Sequence, residues 1–259
     1  MEKKFSLTGY QIKLIGIILM VGDHVYEMFN YVNPPTILNM FGRIVLPIFL
    51  FMSAEGFYYT RNRLKYMSRL LIGFWGMNLG NLVIPKIFPM NEVTIINNVF
   101  GTLFLATLVM YSIEACKQKQ WVKGIALVLL PLLIAIPFLV TMSSDTVSMA
   151  SVYLLQVFPS YLTVEGGFLS VLLGVLFYLL REKRALQFLA LLVVSVVTTG
   201  FDFSHLLSNY QWMMVFAVVP LALYNGQKGR GDKYFFYTFY PAHIYGLYIL
   251  SYFYLNYWM

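Results

Sequence analysis

Apolar residues in this chain run in blocks too long for a half-buried strand and too continuous for the one-sided stripe of a soluble helix. Nine such blocks lie near 10–30, 36–59, 68–89, 95–115, 121–142, 164–181, 185–201, 211–225 and 234–256. A bilayer core of about 30 Å takes roughly 20 apolar residues of helix, and about 17 suffice where neighbours help. The pattern therefore predicts an all-α, polytopic integral membrane bundle with nine spans, in a class of about nine to ten transmembrane helices. One stretch, 143–163, fits poorly: Asp145-Thr146 leads into an apolar run, Val152-Tyr153-Leu154-Leu155-Gln156-Val157-Phe158, that stops at Pro159. It reads as an interfacial or re-entrant piece on the outer side, which is tolerable where protein or water satisfies its backbone.

Composition agrees with the blocks. Of 259 residues, 59% are hydrophobic and 11% charged, and the mean hydropathy is +0.71. A soluble domain carries about 25% charged residues to wet its surface, so soluble, disordered and collagen-like classes are excluded. A lone cysteine, Cys116, excludes a disulfide scaffold. The net charge of +7 suggests nucleic acid only until the basic residues are mapped. With a cytoplasmic N-terminus, sixteen of the eighteen Lys and Arg fall on inner segments; Lys86 is outside and Arg43 lies within the second span. That is the positive-inside distribution of a multi-pass protein of the cytoplasmic (inner) membrane, in contact with lipid and with no nucleic-acid partner. The first block is interrupted by Asp23-His24 and is followed by no small-x-small site, so it reads as a retained helix rather than a signal peptide. With no long linker or repeat, 1–259 reads as one domain.

An ionisable residue inside a bilayer costs about 2.5–3.5 kcal/mol on the insertion scale and so needs a reason. Five stand in the first two spans: Asp23, His24 and Glu27 in the first, Arg43 and Glu55 in the second. At helical spacing Asp23 and Glu27 stack at i, i+4, and His24 lies beside Glu27 at i, i+3, whereas adjacent Asp23 and His24 diverge by about 100°. Arg43 can neutralise Asp23 or Glu27 across the hairpin, and Glu55 suits a cytoplasmic Arg or Lys. His24 is either a general base, with a carboxylate holding its ring, or a hydrogen bond between helices. His243, after Tyr240-Pro241-Ala242 in the last span, is a second site residue or a packing histidine. His205 reads as a solvated loop residue. No H-x-x-x-H or C-x-x-C spacing calls for a metal. The inner basic clusters, Arg61-Asn62-Arg63-Leu64-Lys65 and Lys228-Gly229-Arg230-Gly231-Asp232-Lys233, serve topology and anionic lipid, or hold the phosphates of a cytoplasmic co-substrate. The glycines of the second cluster let backbone N–H groups approach an anion.

Several blocks carry a resemblance. Leu7-Thr8-Gly9-Tyr10-Gln11-Ile12-Lys13 running into Asp23-His24, Phe41-Gly42-Arg43-Ile44-Val45-Leu46-Pro47-Ile48-Phe49, and Glu55-Gly56-Phe57-Tyr58-Tyr59-Thr60-Arg61-Asn62 resemble the TraX family. So do Asn97-Asn98-Val99-Phe100-Gly101-Thr102-Leu103, Glu165-Gly166-Gly167-Phe168-Leu169, Tyr224-Asn225-Gly226 and Phe236-Tyr237-Thr238-Phe239-Tyr240-Pro241-Ala242-His243. The chain departs from that pattern at Tyr59, where the family often has His, and at Glu165-Gly166-Gly167, where acid-aromatic-Gly is common. The resemblance implies acetyl transfer from cytoplasmic acetyl-CoA to a peptide N-terminal amine or another amine or hydroxyl acceptor. By position it implies His24 as the acetyl-transfer histidine, and the motif match carries over Asp23, Arg43 and His243; Glu27 joins the catalytic candidates by its helical spacing from His24. Arg61, Arg63, Asn225, Arg230, Lys233, Tyr240 and His243 are then the candidates for binding acetyl-CoA. A proton-coupled transporter and a non-enzymatic envelope assembly factor are the competing functions. The oligomeric state is not legible.

Overall fold

The computed structural model describes residues 5–142, 148–201 and 208–259, so the expectations for His205 and for Asp145-Thr146 lie outside the described residues. The helices are α1 (Gly9–Met28), α2 (Ile37–Tyr59), α3 (Arg63–Ile87), α4 (Val99–Lys117), α5 (Trp121–Leu133), α6 (Ile136–Met142), α7 (Met149–Val157), α8 (Gly167–Leu179) and α9 (Arg184–Val197). A 3-10 helix, Tyr210–Ala217, then runs into α10 (Val218–Ala222), and α11 (Lys233–Tyr257) ends the chain. Among the described residues there is no strand, only an isolated bridge between Leu7 and Tyr224. The chain is all-α, as its apolar blocks predict, and each expected span meets a helical segment.

Four segments, α2, α3, α4 and the continuous stretch Trp121–Met142, are long and apolar enough to cross a membrane. The most apolar window of Trp121–Met142 is only 11% buried, with Trp121, Val122, Ile125, Leu129 and Leu133 exposed. A soluble monomer rarely leaves so large an apolar face open. This is a membrane protein with transmembrane helices.

Two expected spans take an unexpected form. Block 121–142 divides at Ile134-Ala135 into α5 and α6, with Pro131 inside α5 and Pro137 inside α6; proline removes a helix donor and crowds the preceding turn. Block 211–225 begins as 3-10 rather than α-helix. At about 2.0 Å per residue instead of 1.5 Å, its first eight residues reach about 16 Å instead of 12 Å, which lengthens a segment short for a bilayer. In the difficult stretch, α7 has nine residues, or about 14 Å, and does not cross. The carbonyls at its end are satisfied by protein: Trp75 Nε1 donates to Val157 O at 2.7 Å and Asn78 Nδ2 to Gln156 O at 2.8 Å.

The chain packs as two compact units, one of Met1–Met52, Leu79–Ile96 and Ala185–Met259, the other of Ser53–Asn78 and Asn97–Arg184. In the first, Thr8 caps α1 in a reciprocal capping box with Gln11. The N–H groups of Gly9 and Tyr10, which a helix start leaves without intrahelical acceptors, donate to Gln227 O at 2.8 Å and Lys228 O at 3.0 Å. Gly229 adopts φ +70° hard against Thr8, where a side chain would collide. From that clasp α1 and α11 run parallel: Tyr10 meets Phe236 edge-on, His24 meets His243, and Ser251 Oγ donates to Met28 O at 2.5 Å. In the expected count of nine spans the first and the ninth run in the same direction, and α1 and α11 do so here.

In the second unit α4 is buried along most of its length between α5 and α8. Small residues bring α4 and α5 together, with Ser112 Oγ donating to Gly124 O at 2.6 Å and Cys116 Sγ filling the space a Gly124 side chain would need, the usual device where lipid offers no hydrophobic drive for association. At the start of α4, Asn98 Nδ2 donates to Phe74 O (3.0 Å) and Asn78 Oδ1 (2.7 Å). The Asn98 N–H reaches Glu165 Oε2 (3.1 Å), and Thr102 Oγ1 donates to Glu165 O at 2.6 Å. Near its end, Glu114 accepts from Arg63 (3.1 Å), Lys117 (3.1 Å) and the Tyr178 hydroxyl (2.5 Å). Glu55 stands 4.0 Å from Arg181, whose guanidinium lies 3.3 Å from the centroid of the Tyr58 ring, which bears out its expected basic partner.

Candidate functional site

The buried face of α1 carries Ile12, Gly16, Met20, His24 and Met28 at helical spacing. That periodicity delivers the His24 imidazole into the packed interior, where it is 4% exposed. Against it, α11 presents His243. His24 Nδ1 and His243 Nε2 are 2.7 Å apart, with ring centroids at 4.9 Å. Phe239, one turn earlier on α11, stacks on His243 at 4.8 Å and 13°, and its carbonyl oxygen lies 2.8 Å from His243 Nδ1. Tyr240 presents its ring edge-on to both imidazoles. The other nitrogen of His24, Nε2, is 4.0 Å from Glu27 Oε2, a Coulombic distance rather than a hydrogen bond.

Asp23 is turned away from this pair by its 100° step around α1, and its carboxylate accepts from Arg43 Nη2 at 3.4 Å. The carboxylate rests directly on the Gly42 backbone, where any side chain would overlap it. Of the two carboxylates that Arg43 could neutralise, it therefore pairs with Asp23, and Glu27 is the one beside His24. The buried Nε–H of Arg43 has no hydrogen-bond acceptor among the described residues.

His24, Glu27, Tyr240 and His243 thus meet in one unit, and the Asp23–Arg43 pair lies in the same unit on another side of α1. Tyr240 and His243, expected around acetyl-CoA, stand against the imidazole of His24. Asn225 lies in the clasp at the base of α1: its N–H donates to Leu7 O at 3.0 Å and its Oδ1 accepts from Gln227 N at 2.9 Å. Thr8 and His24 are sixteen residues apart on α1, about 24 Å. Arg230, in the same loop, is largely exposed and pairs with Asp232 at 2.6 Å. Gly226 and Gly229 both have positive φ, in the segment that also carries Lys228 and Arg230. The Lys233 side chain is outside the described residues. In the other unit Arg61 is exposed, while Arg63 is held by Glu114 and lies over the Phe57 ring at 5.1 Å, which leaves it less free for a phosphate. Among the described residues no group of three or more His, Cys, Asp or Glu comes together to hold a metal ion.

Two things escaped the residue pattern. One is the contact between His24 and His243, for which the only signal is a histidine in an apolar block, one turn beyond an aromatic and two residues after a proline. The other is the polar knot of Asn78, Asn98, Thr102 and Glu165, signalled by the clustering of amides and a carboxylate within apolar blocks.

The model of the family described as TraX protein matches residues 8–251. A curated relative from Dichelobacter nodosus, described as a probable fimbrial assembly protein FimC of serogroup H1, is 27% identical over 262 residues, spanning 94% of this chain and 96% of its own. No solved structure matches. The matched span begins at Thr8, the cap of α1, takes in both histidines and Arg43, and closes at Ser251 where α11 meets α1; the chain belongs to the TraX family.

Proposed function

We propose that this protein is a membrane acetyltransferase of the cytoplasmic membrane, moving the acetyl group of acetyl-CoA to an amine or hydroxyl of an acceptor. The observation that carries the proposal is the buried His24 imidazole, flanked by Glu27, backed by His243, and close in sequence to an Arg43–Asp23 pair whose Arg43 Nε–H has no acceptor among the described residues. Acyl transfer from a thioester needs a base for the acceptor proton and a donor for the developing oxyanion. His24 takes the proton from the acceptor as it attacks the thioester carbonyl, and returns it to the departing sulfur. Glu27 stabilises the imidazolium in between. Arg43 donates to the oxyanion, with Asp23 keeping its guanidinium in place. Lys228, Arg230 and Lys233, with the Gly226 and Gly229 backbone, attract the CoA phosphates at the cytoplasmic base of α1. The name of the Dichelobacter nodosus relative supports an acceptor in fimbrial assembly, with the N-terminal amine of a fimbrial subunit the most suitable group.

That name also favours a second reading, an assembly factor that performs no chemistry. Purified protein with radiolabelled acetyl-CoA and candidate acceptors separates the two. Label transferred by wild type and lost in His24→Ala, with the variant still folded, supports the enzyme. No CoA binding and no transfer to any acceptor would leave assembly. An Arg230→Ala/Lys233→Ala double variant should raise the KM for acetyl-CoA with kcat unchanged; an unaltered KM returns both residues to topology.

A further inference from the structure

Hydrogen positions in the histidine pair follow from one backbone atom. The Phe239 carbonyl oxygen, 2.8 Å from His243 Nδ1, can only accept, so Nδ1 carries the hydrogen. A neutral imidazole has one N–H and one bare nitrogen, so His243 Nε2 is bare. His24 Nδ1 lies 2.7 Å from that lone pair, and two lone pairs do not face each other at such a distance; His24 Nδ1 must therefore carry a hydrogen. The bare nitrogen of His24 is then Nε2, on the side of Glu27. Rotating the His243 ring by 180° would put carbon at both contacts and forfeit both hydrogen bonds. The stacked Phe239 ring holds the imidazole plane, and the whole device lies within one turn of α11 that includes Pro241.

We infer that His243 is a positioning residue that locks His24 in the Nδ1–H tautomer through the Phe239 carbonyl, making Nε2 the nitrogen that handles the acceptor proton. The inference rests on the acetyltransferase proposal for its consequence, though not for its geometry. In the transfer, the acceptor nitrogen or oxygen forms its bond to the acetyl carbon as its proton passes to His24 Nε2. The carbon–sulfur bond breaks, and the Nε2 proton goes to the thiolate, giving acetylated acceptor and free CoA thiol. His24 Nδ1 donates to His243 Nε2 throughout, and His243 neither gains nor loses a proton. This differs from a carboxylate-backed histidine in that the orienting group is neutral and its own orientation comes from main chain.

The experiment is nitrogen-15 NMR of the full chain labelled at histidine, in lipid nanodiscs at neutral pH, with His24→Gln and His243→Gln spectra for assignment. Both histidines should show a protonated Nδ1 and a bare Nε2. A His24 protonated at Nε2, or a doubly protonated His243, overturns the inference. Kinetics give the second readout. His243→Gln places an amide oxygen where Nε2 stood and should keep kcat within about 3-fold of wild type. His243→Leu fills the space without an acceptor and should lower kcat by about 10²-fold with the KM for acetyl-CoA unchanged. Equal losses in two folded variants would mean that packing, rather than this hydrogen bond, is what His243 provides. If wild type transfers no acetyl group, the functional proposal fails while the NMR still decides the tautomer.

Discussion

Adding a single methyl group at Gly42 tests the membrane charge pair without touching a charge. The Asp23 carboxylate occupies the space a Gly42 side chain would need, so Gly42→Ala must swing the carboxylate aside and lengthen its 3.4 Å contact with Arg43. Two unit charges 3.4 Å apart attract by about 5 kcal/mol at an effective dielectric of 20. Breaking a fully buried pair costs about 3–5 kcal/mol. These side chains keep 28% and 16% of their surface exposed, which reduces the loss to about 3 kcal/mol. Alanine recovers about 1 kcal/mol of helix propensity. The net is a destabilisation of about 2 kcal/mol, about 4–8 °C in Tm for a chain of this size. Thermal unfolding of purified protein in one fixed detergent measures it, with Gly22→Ala as the control, since a side chain there meets only Leu38 at an ordinary 3.5 Å. The decisive form is a double-mutant cycle. Once Asp23→Ala has removed the carboxylate, Gly42→Ala should cost nothing further. Additive losses, or a Gly42→Ala protein as stable as wild type, would refute the account of how Asp23 is held.

Three more perturbations probe other contacts. Glu114→Gln leaves Arg63 and Lys117 without their carboxylate while keeping an acceptor for Tyr178, and should lower stability by about 1–2 kcal/mol, less at high salt; a salt-independent Tm difference would contradict this. Gly124→Ala forces its new methyl into Cys116 Sγ and should cost about 1–3 kcal/mol by overpacking, part of which Cys116→Ala restores. No recovery in the double variant would show that the obstruction lies elsewhere. Gly229→Ala strains a φ of +70° and collides with Thr8, so it should lose about 2 kcal/mol and weaken hydrogen-exchange protection at Gly9 and Tyr10. Unchanged protection at those amides would count against the clasp.

Much of the site was legible because the membrane makes charge conspicuous. The cost of burying charge alone singles out Asp23, His24, Glu27 and Arg43, and helical spacing places Glu27 beside His24 and turns Asp23 away. Glu55 calls for a basic partner, and Arg181 stands 4.0 Å from it. His243 was visible as an intramembrane histidine, yet its role was not, since packing and chemistry present the same residue type in the same apolar run. Arg63 and Arg230 looked alike as basic residues; the acids that hold them, Glu114 across 51 positions and Asp232 two positions away, belong to the fold.

Composition and block length settled membrane residence and helical class, because backbone groups in hydrocarbon must bond within their own segment and a span leaves a local record in the chain. Partner choice leaves no such record. His24 and His243 are 219 positions apart, and what joins them is the parallel fit of α1 and α11, anchored by the Gly229 clasp at one end and by the Ser251 hydroxyl at the other. In lipid that fit depends on close approach and interhelical hydrogen bonds rather than on burial of apolar surface from water. Which imidazole faces which, and therefore which nitrogen is left bare, was decided only when the helices packed.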